Sequence, residues 1–520
     1  MIKLYVKQNA YYDSVSLMLI SRDLKKLPGV GEALVGLGTE LNKELCAGIG
    51  LASPELEALS NNDFFVAADC AGEDTWQAVL AKVEELLGSK KKSAQSDYTP
   101  PNLAAALKAS PELNLAVVSV PGAYAADVAR DCLERGVNVL MFSDNVSAGD
   151  ELSLKQLAVG KGLLMMGPDC GTAILNGVPL AFANVVARGD IGIVAASGTG
   201  AQEVSTLIDR LGGGITQLIG TGGRDLKEQI GGLMYSQALD ALINDSATKV
   251  IVLISKPPSV TIADKILTQA KNGGKPVVVC FVGDESGSAE RLELCRAVSL
   301  EDAAHKAVAL SRGEPPATYD GFTMGEEATK RLAAAEAAKL SAGQSYLRGL
   351  YTGGTLCDEA MKLTIGTLGR IYSNIPLTEA DELTDKDTSR EHTCLDFGDD
   401  AFTVGRPHPM IDPSLRNDRL VKEAADPQTA VILLDNVIGY GAHENAAAEL
   451  AGAIIAAKEA ASESGRYLPV VVSVCGTERD PQSLSRSAAA LEAAGAVVMP
   501  SNAQAVRLAL SILEMGGCIV

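Results

Sequence analysis

Gly192-Ile-Val-Ala-Ala-Ser-Gly-Thr-Gly-Ala-Gln-Glu203 and Leu347-Arg-Gly-Leu-Tyr-Thr-Gly-Gly-Thr-Leu-Cys-Asp-Glu359 read as one structural part built twice. Each is an apolar strand, a Ser/Thr-Gly turn and a segment able to start a helix. Small residues let backbone N–H groups approach a ligand, and a helix N-terminus favours an anion. Two such turns in one chain predict two anion cradles facing one site. Ser197, Gly198, Thr199 and Gly200 form the first, and Thr352, Gly353, Gly354 and Thr355 the second. A tight strand-to-helix turn with no ligand fits the same residues.

Working outward, the strands that follow each turn also match. Lys249–Ser255 parallels Ala430–Asp435, and Lys275–Glu285 parallels Leu468–Glu478. Continuous apolar strands alternating with helices predict parallel, doubly wound sheets. The halves differ by an insertion near residues 370–425, and an Ala-rich, charged stretch from about Gly313 to Gly343 links them. This is a duplication, not a short-period repeat. Before it, strands at Leu115–Val120, Asn138–Phe142 and Leu163–Met166 indicate a shorter α/β unit. Residues 1–92 read as a small α+β domain with a helix over Thr75–Leu87 that stops at Gly88. Lys90–Ser93 and Tyr98–Pro101 read as a linker. The expected domains are therefore 1–92 (small α+β), 112–187 (a short α/β unit), and 188–312 and 344–520 (two doubly wound α/β units).

Composition narrows the function. The 520 residues are 47% hydrophobic and 21% charged, which fits a globular chain. A net charge of −20, one Trp and 4% aromatics argue against a nucleic-acid surface. No apolar run approaches a membrane span, and the N-terminus lacks a signal-peptide pattern, so a cytoplasmic protein with no membrane partner is expected. The ten cysteines are single, with no Cys-x-x-Cys pair. Buried thiols and no metal site are expected.

Ligands of such sheets bind beyond the C-terminal ends of the strands. In the first turn, Glu203 would hold the loop or a cationic group. Gly220-Thr-Gly-Gly-Arg-Asp225 places Gly222, Gly223 and Arg224 where a phosphate or carboxylate would bind; an Arg224–Asp225 pair in a flexible loop fits equally. Gly167-Pro-Asp-Cys-Gly171 offers Cys170, but no histidine near it in sequence would activate it, and a buried thiol is favoured. Gly405-Arg-Pro-His-Pro-Met-Ile-Asp-Pro413 is stiffened by prolines. Its Arg406 and His408 are expected to bind an anion or polarise a carbonyl as catalytic residues; a rigid surface excursion fits the same residues. Cys475-Gly-Thr-Glu-Arg-Asp-Pro481 offers Arg479 as a carboxylate clamp, or a local Glu/Asp pair, with Thr477 as a neighbouring contact. No His-Glu-x-x-His, Walker-A lysine or strict Gly-x-Gly-x-x-Gly pattern is present.

Met166-Gly-Pro-Asp-Cys-Gly, Gly192-Ile-Val-Ala-Ala-Ser-Gly-Thr and Ile219-Gly-Thr-Gly-Gly resemble the α subunit of succinyl-CoA synthetase, and the C-terminal unit resembles the ligase domain of its β subunit. Asp13-Ser-Val-Ser-Leu-Met, Met141-Phe-Ser-Asp-Asn-Val, Leu350-Tyr-Thr-Gly-Gly-Thr, Val404–Pro413 and Gly476-Thr-Glu-Arg-Asp-Pro make the whole chain similar to the FdrA family of acyl-CoA-synthetase-like proteins. The resemblance implies a Rossmann-like, CoA-binding-type domain at 112–187 and flavodoxin-like, succinyl-CoA-synthetase-type ligase domains at 188–312 and 344–520. It departs at one point. Gly287–Cys295 has no histidine where succinyl-CoA synthetase carries its phosphohistidine, and no ATP-grasp domain is present. The resemblance to FdrA implies an oxamate carbamoyltransferase of purine and allantoin degradation, working with other subunits. It would exchange oxalurate and phosphate with oxamate and carbamoyl phosphate, without a phosphoenzyme or an assigned cofactor. A CoA-dependent acyl ligase, with CoA as cofactor, and a non-catalytic scaffold are the alternatives.

Overall fold

The computed structural model describes the chain apart from residues 9, 11, 13, 61–62, 90–99, 101, 405 and 520. The expected linker at 90–101 lies, Pro100 aside, outside the described residues. The chain forms two compact units. The first holds Met1–Asn114 with Ser119–Pro121 and Thr403–Pro407, and the second holds the rest.

In the first unit, β1 (Ile2–Lys7), β2 (Val30–Leu37) and β3 (Phe64–Cys70) form an antiparallel sheet in the order β1-β3-β2. Alternation along β3 serves two faces. Phe64, Val66 and Ala68 pack with Leu17, Leu24, Trp76 and Val79 from the helices Ser14–Lys25 and Glu73–Ser89. Phe65 and Ala67 pack with Cys46, Leu51 and Leu56. The helix Glu40–Gly48 supplies Cys46 and is absent from the sequence reading. The helix Glu73–Ser89 runs through the expected stop at Gly88. One glycine near a helix end costs only about 1 kcal/mol, which the packed face outweighs.

The second unit begins with a three-stranded parallel sheet, β4 (Leu115–Val118), β5 (Asn138–Met141) and β6 (Met165–Met166). Strand pairing crosses the expected boundary at 187. The hairpin β7 (Thr172–Leu175) and β8 (Val178–Ala181) leaves this sheet and pairs antiparallel with the next, Ile174 opposite Leu218. Tight turns favour such hairpins, and Asn176-Gly177 at positive φ supplies one.

The duplication is visible in the topology. The first copy contains β9 (Arg188–Ala195), β10 (Ile215–Gly220), β11 (Val250–Ser255), β12 (Val277–Phe281) and β13 (Cys295–Arg296), ordered β10-β9-β11-β12-β13. The second contains β14 (Tyr346–Tyr351), β15 (Thr393–Asp396), β16 (Thr429–Val437), β17 (Val470–Cys475) and β18 (Val497–Met499), ordered β15-β14-β16-β17-β18. Both follow the 2-1-3-4-5 flavodoxin-like order, with its switch point beside the first strand. β11, β12, β16 and β17 are buried along their whole length, as parallel strands covered on both faces must be. The insertion supplies β15 and the helix Ser414–Ala425. The stretch expected to be only a link carries the helix Glu326–Ala337, whose Ala333 and Ala337 join the core. Eight of the ten cysteines are buried and Cys295 and Cys518 partly so. No helix among the described residues is long and apolar enough to cross a membrane.

Candidate active site

The two turns meet. Ser197 caps the helix Gly198–Arg210, its Oγ accepting from Gly200 N at 3.0 Å. The same Oγ lies 2.6 Å from Thr355 Oγ1, in the first turn of the helix Gly354–Leu368. The glycines make the approach possible. A Cβ on Gly353 would stand 2.9 Å from Thr199, and one on Gly200 would stand 3.0 Å from Thr355 Cγ2. Two positive helix ends thus converge, each equivalent to about half an elementary charge.

The two ends are not equally free. Thr352 N and Gly353 N each donate to the Asp435 carboxylate at 2.8 Å, and Thr352 Oγ1 donates to it at 3.0 Å. Asp435, at the end of β16, is fully buried and faces Arg416. A carboxylate of the chain therefore takes the N–H groups expected of Thr352 and Gly353 as phosphate donors. The first-turn N–H groups of Gly198, Thr199, Gly354, Thr355 and Leu356 have no acceptor within their helices, apart from the Ser197 cap on Gly200.

Beside the junction stand residues the sequence reading missed. Asp396 ends β15, and a Cβ on Gly354 would land on its carboxylate. Burial pushes Asp396 up to about 7, with the Lys256 charge opposing. Lys256, just beyond β11, pairs with Asp358 at 2.5 Å, and this partner holds it above the usual lysine value despite desolvation. Nothing in the sequence marks Asp396 or Lys256, because folding brings Gly354 and Asp358 to them.

His408 reaches this corner. A Cβ on Gly398 would stand 2.6 Å from His408 Nε2, 3.1 Å from Asp396 Oδ1 and 3.1 Å from Thr352 O. His408 Nδ1 accepts from Met410 N at 3.2 Å, so Nε2 carries the proton. Its ring lies 5.4 Å from Phe182. Burial pushes it down to about 4 with no opposing charge. A neutral imidazole can donate to a carbonyl, but it cannot pair with an anion as a cation. Arg406 is exposed and falls, with Thr403–Pro407, in the first compact unit.

Most of the other candidates have partners of their own within the chain, and Cys170 is the buried thiol that was favoured. Arg479 pairs with Asp209, near the opposite end of the Gly198 helix. Eleven residues of helix put that partner about 16 Å from the turn, so Arg479 is not at the junction. Glu203 is buried and accepts from Asn502 N at 3.0 Å, serving the start of the helix Asn502–Met515 and not a ligand. Thr477 is likewise spent, its N donating to Asp480 and its Oγ1 to Val185 O, both at 2.8 Å. Gly222, at φ +85°, is needed for close approach of Gly167-Pro168, while Gly223 faces open space. Arg224 pairs with Glu151 at 2.9 Å and donates to Val146 O, while Asp225 pairs with buried Lys155 at 2.7 Å. Arg224 is thus neither free nor Asp225's partner. Burial pushes the Cys170 thiol up to about 12, which removes it as a nucleophile.

Comparison with known proteins places these parts. The CoA-ligase family matches residues 350–512, the CoA-binding domain family matches 187–283, and the family described as AllF, heavy metal-associated domain, matches 1–101. The CoA-binding match thus falls on the first flavodoxin-like copy. The uncharacterized protein YahF of Escherichia coli (strain K12) is 46% identical over 515 residues, 99% of both chains. Succinate–CoA ligase [ADP-forming] subunit alpha 2 of Archaeoglobus fulgidus is 26% identical over 149 residues, 28% of this chain and 50% of that one. The chain therefore spans half the length of that ligase subunit. A solved dinucleotide-forming acetyl-coenzyme A synthetase 1 from Ca. Korarchaeum cryptofilum aligns over 80% of this chain and 85% of that one, at 16% identity and a TM-score of 0.33. The fold is α/β, with CoA-binding Rossmann-like and CoA-ligase domains behind a small N-terminal domain.

Proposed function

This chain belongs to the family of Escherichia coli YahF, and on that premise we propose that it is an enzyme subunit moving a carbamoyl group between phosphate and a small acid. The Ser197–Thr355 contact carries the reading, because it joins two helix N-termini into one anion site. Carbamoyl phosphate would place its phosphate on the free N–H groups of Gly198, Thr199, Gly354 and Thr355. The amide nitrogen of oxamate attacks the carbamoyl carbon, the C–O bond to phosphate breaks, and the amide proton passes to the departing phosphate. Oxalurate and phosphate result. The helix ends stabilise the charge that grows on the phosphate. His408 Nε2–H is a donor for the carbonyl oxygen, and the Lys256–Asp358 pair stands at the rim. No phosphorylated side chain takes part, so positioning carries the rate.

The AllF-type match over 1–101 supports a place in allantoin breakdown, and the reading has the chain working with further subunits in the cytoplasm. The test is to incubate the chain and its partner subunits with oxalurate and phosphate and to measure carbamoyl phosphate. Formation of carbamoyl phosphate supports the reading, and no product with all subunits present overturns it. A second reading, a CoA-dependent acyl ligase using a separate ATP-grasp partner, is favoured by the CoA-ligase and CoA-binding matches. Saturable heat of binding on titration with CoA would favour this reading.

A further inference from the structure

Bordered by Thr352, which precedes the Gly353-Gly354 turn, lies a cavity of about 10 Å³, room for one water-sized group. Thr352, Arg416, Asn436 and His443 line its polar side, and Met410 and Pro409 are among the residues that close it. Its polar lining is rich in donors. Asn436 is 2% exposed, and its Nδ2 has no partner. His443 Nδ1 accepts from Asn445 N at 3.1 Å, which leaves Nε2–H as donor. Arg416 is also 2% exposed. Its NH1 donates to Asp435 O at 2.7 Å but stands 3.3 Å from Asp435 Oδ1, longer than a committed charge-assisted bond. Asp435 is satisfied instead by Thr352 and Gly353. The guanidinium thus lies between the Asp435 carboxylate and a buried amide that has nothing to donate to.

The geometry points to a carboxylate site: the cavity seats one carboxylate oxygen of the small acid that accepts or yields the acyl group. A buried donor left unpaired costs about 1–3 kcal/mol, and an anionic oxygen relieves that cost better than water does. Thr352 borders both this cavity and the Gly353-Gly354-Thr355 turn, so the acid would be held by its carboxylate within reach of the phosphate. The inference rests on the transfer reading for the acid's role, but the site itself is defined by charge and shape. It replaces Arg224 and Arg479, which the structure commits elsewhere.

The test titrates the full chain with oxamate, with its uncharged diamide oxamide, and with inorganic phosphate. Oxamate is expected to bind and oxamide is not. Asn436→Asp, which keeps the shape and adds a negative charge, should weaken oxamate about tenfold or more and leave phosphate unchanged. Arg416→Lys should do the same. Unfolding of Arg416→Lys, which breaks a buried pair, leaves Asn436→Asp to decide. Equal binding of oxamide, no oxamate binding by the wild type, or unchanged oxamate affinity in a folded Asn436→Asp would overturn the site. Oxamate binding that Asn436→Asp removes, in a protein that makes no carbamoyl phosphate with its partners, would uphold the site and sink the transfer reading.

Discussion

Ser197 Oγ and Thr355 Oγ1 lie 2.6 Å apart across 158 residues of sequence. The contact closes the two copies of the duplicated module on each other at their functional ends. Ser197→Ala removes a helix cap as well, so it should cost about 1 kcal/mol by itself. Thr355→Val removes only the hydroxyl. A double-mutant cycle read by urea unfolding should return a coupling of roughly 0.5–1.5 kcal/mol. Strictly additive effects would mean that the two hydroxyls do not interact.

Glycine at 354 is required by its neighbour. Gly354→Ala places a methyl on the Asp396 carboxylate, so a stability loss of about 1–3 kcal/mol is expected, with loss of phosphate binding. Gly366, in the same helix, has nothing within 4 Å of an added Cβ. Gly366→Ala should stabilise by about 0.5–1 kcal/mol and spare binding. Thermal unfolding and phosphate titration of both variants separate helix propensity from local collision.

The duplicated turns and the parallel, doubly wound sheets were legible because parallel strands buried on both faces leave unbroken apolar runs such as Val250–Ile254 and Val470–Val474; the order of the strands was not. His408 was legible because prolines on both sides fix a rare residue. Asp396, Asp435 and Arg416 were not. Each does its work through partners brought close by folding, and an isolated carboxylate or arginine in sequence carries no mark of them. The same blindness misplaced Arg479 and Glu203, whose partners Asp209 and Asn502 lie 270 and 299 residues away. The helix Glu326–Ala337 was read as a link because alanine and charge describe both a linker and a helix with a narrow buried stripe.

The buried neutral state of His408 makes stability fall in mild acid. Its folded value is about 4, against 6.5 for a free histidine. Below pH 6.5 the unfolded chain takes up a proton that the folded chain refuses until about pH 4. The contribution is therefore complete above 6.5 and is lost as pH falls through that window. His408→Gln should flatten the decline in melting temperature between pH 6.5 and 4. His392, also pushed down to about 4 by burial and Arg348, leaves a residual slope. A variant that tracks the wild type across this range would contradict the burial of His408.

Arg479→Ala is the contrasting case. Its half-exposed pair with Asp209 sits away from the junction, and such pairs contribute about 0–1 kcal/mol. Phosphate affinity and carbamoyl phosphate formation by the assembled complex should match the wild type. A loss of tenfold or more, about 1.4 kcal/mol, would return Arg479 to the site.

The most direct measurement is a crystal structure of the full chain with phosphate bound. The account predicts one phosphate at the Ser197–Thr355 junction, its oxygens accepting from the N–H groups of Gly198 or Thr199 on one side and of Gly354 or Thr355 on the other. Phosphate bound elsewhere, or an empty junction at saturating phosphate, would contradict it.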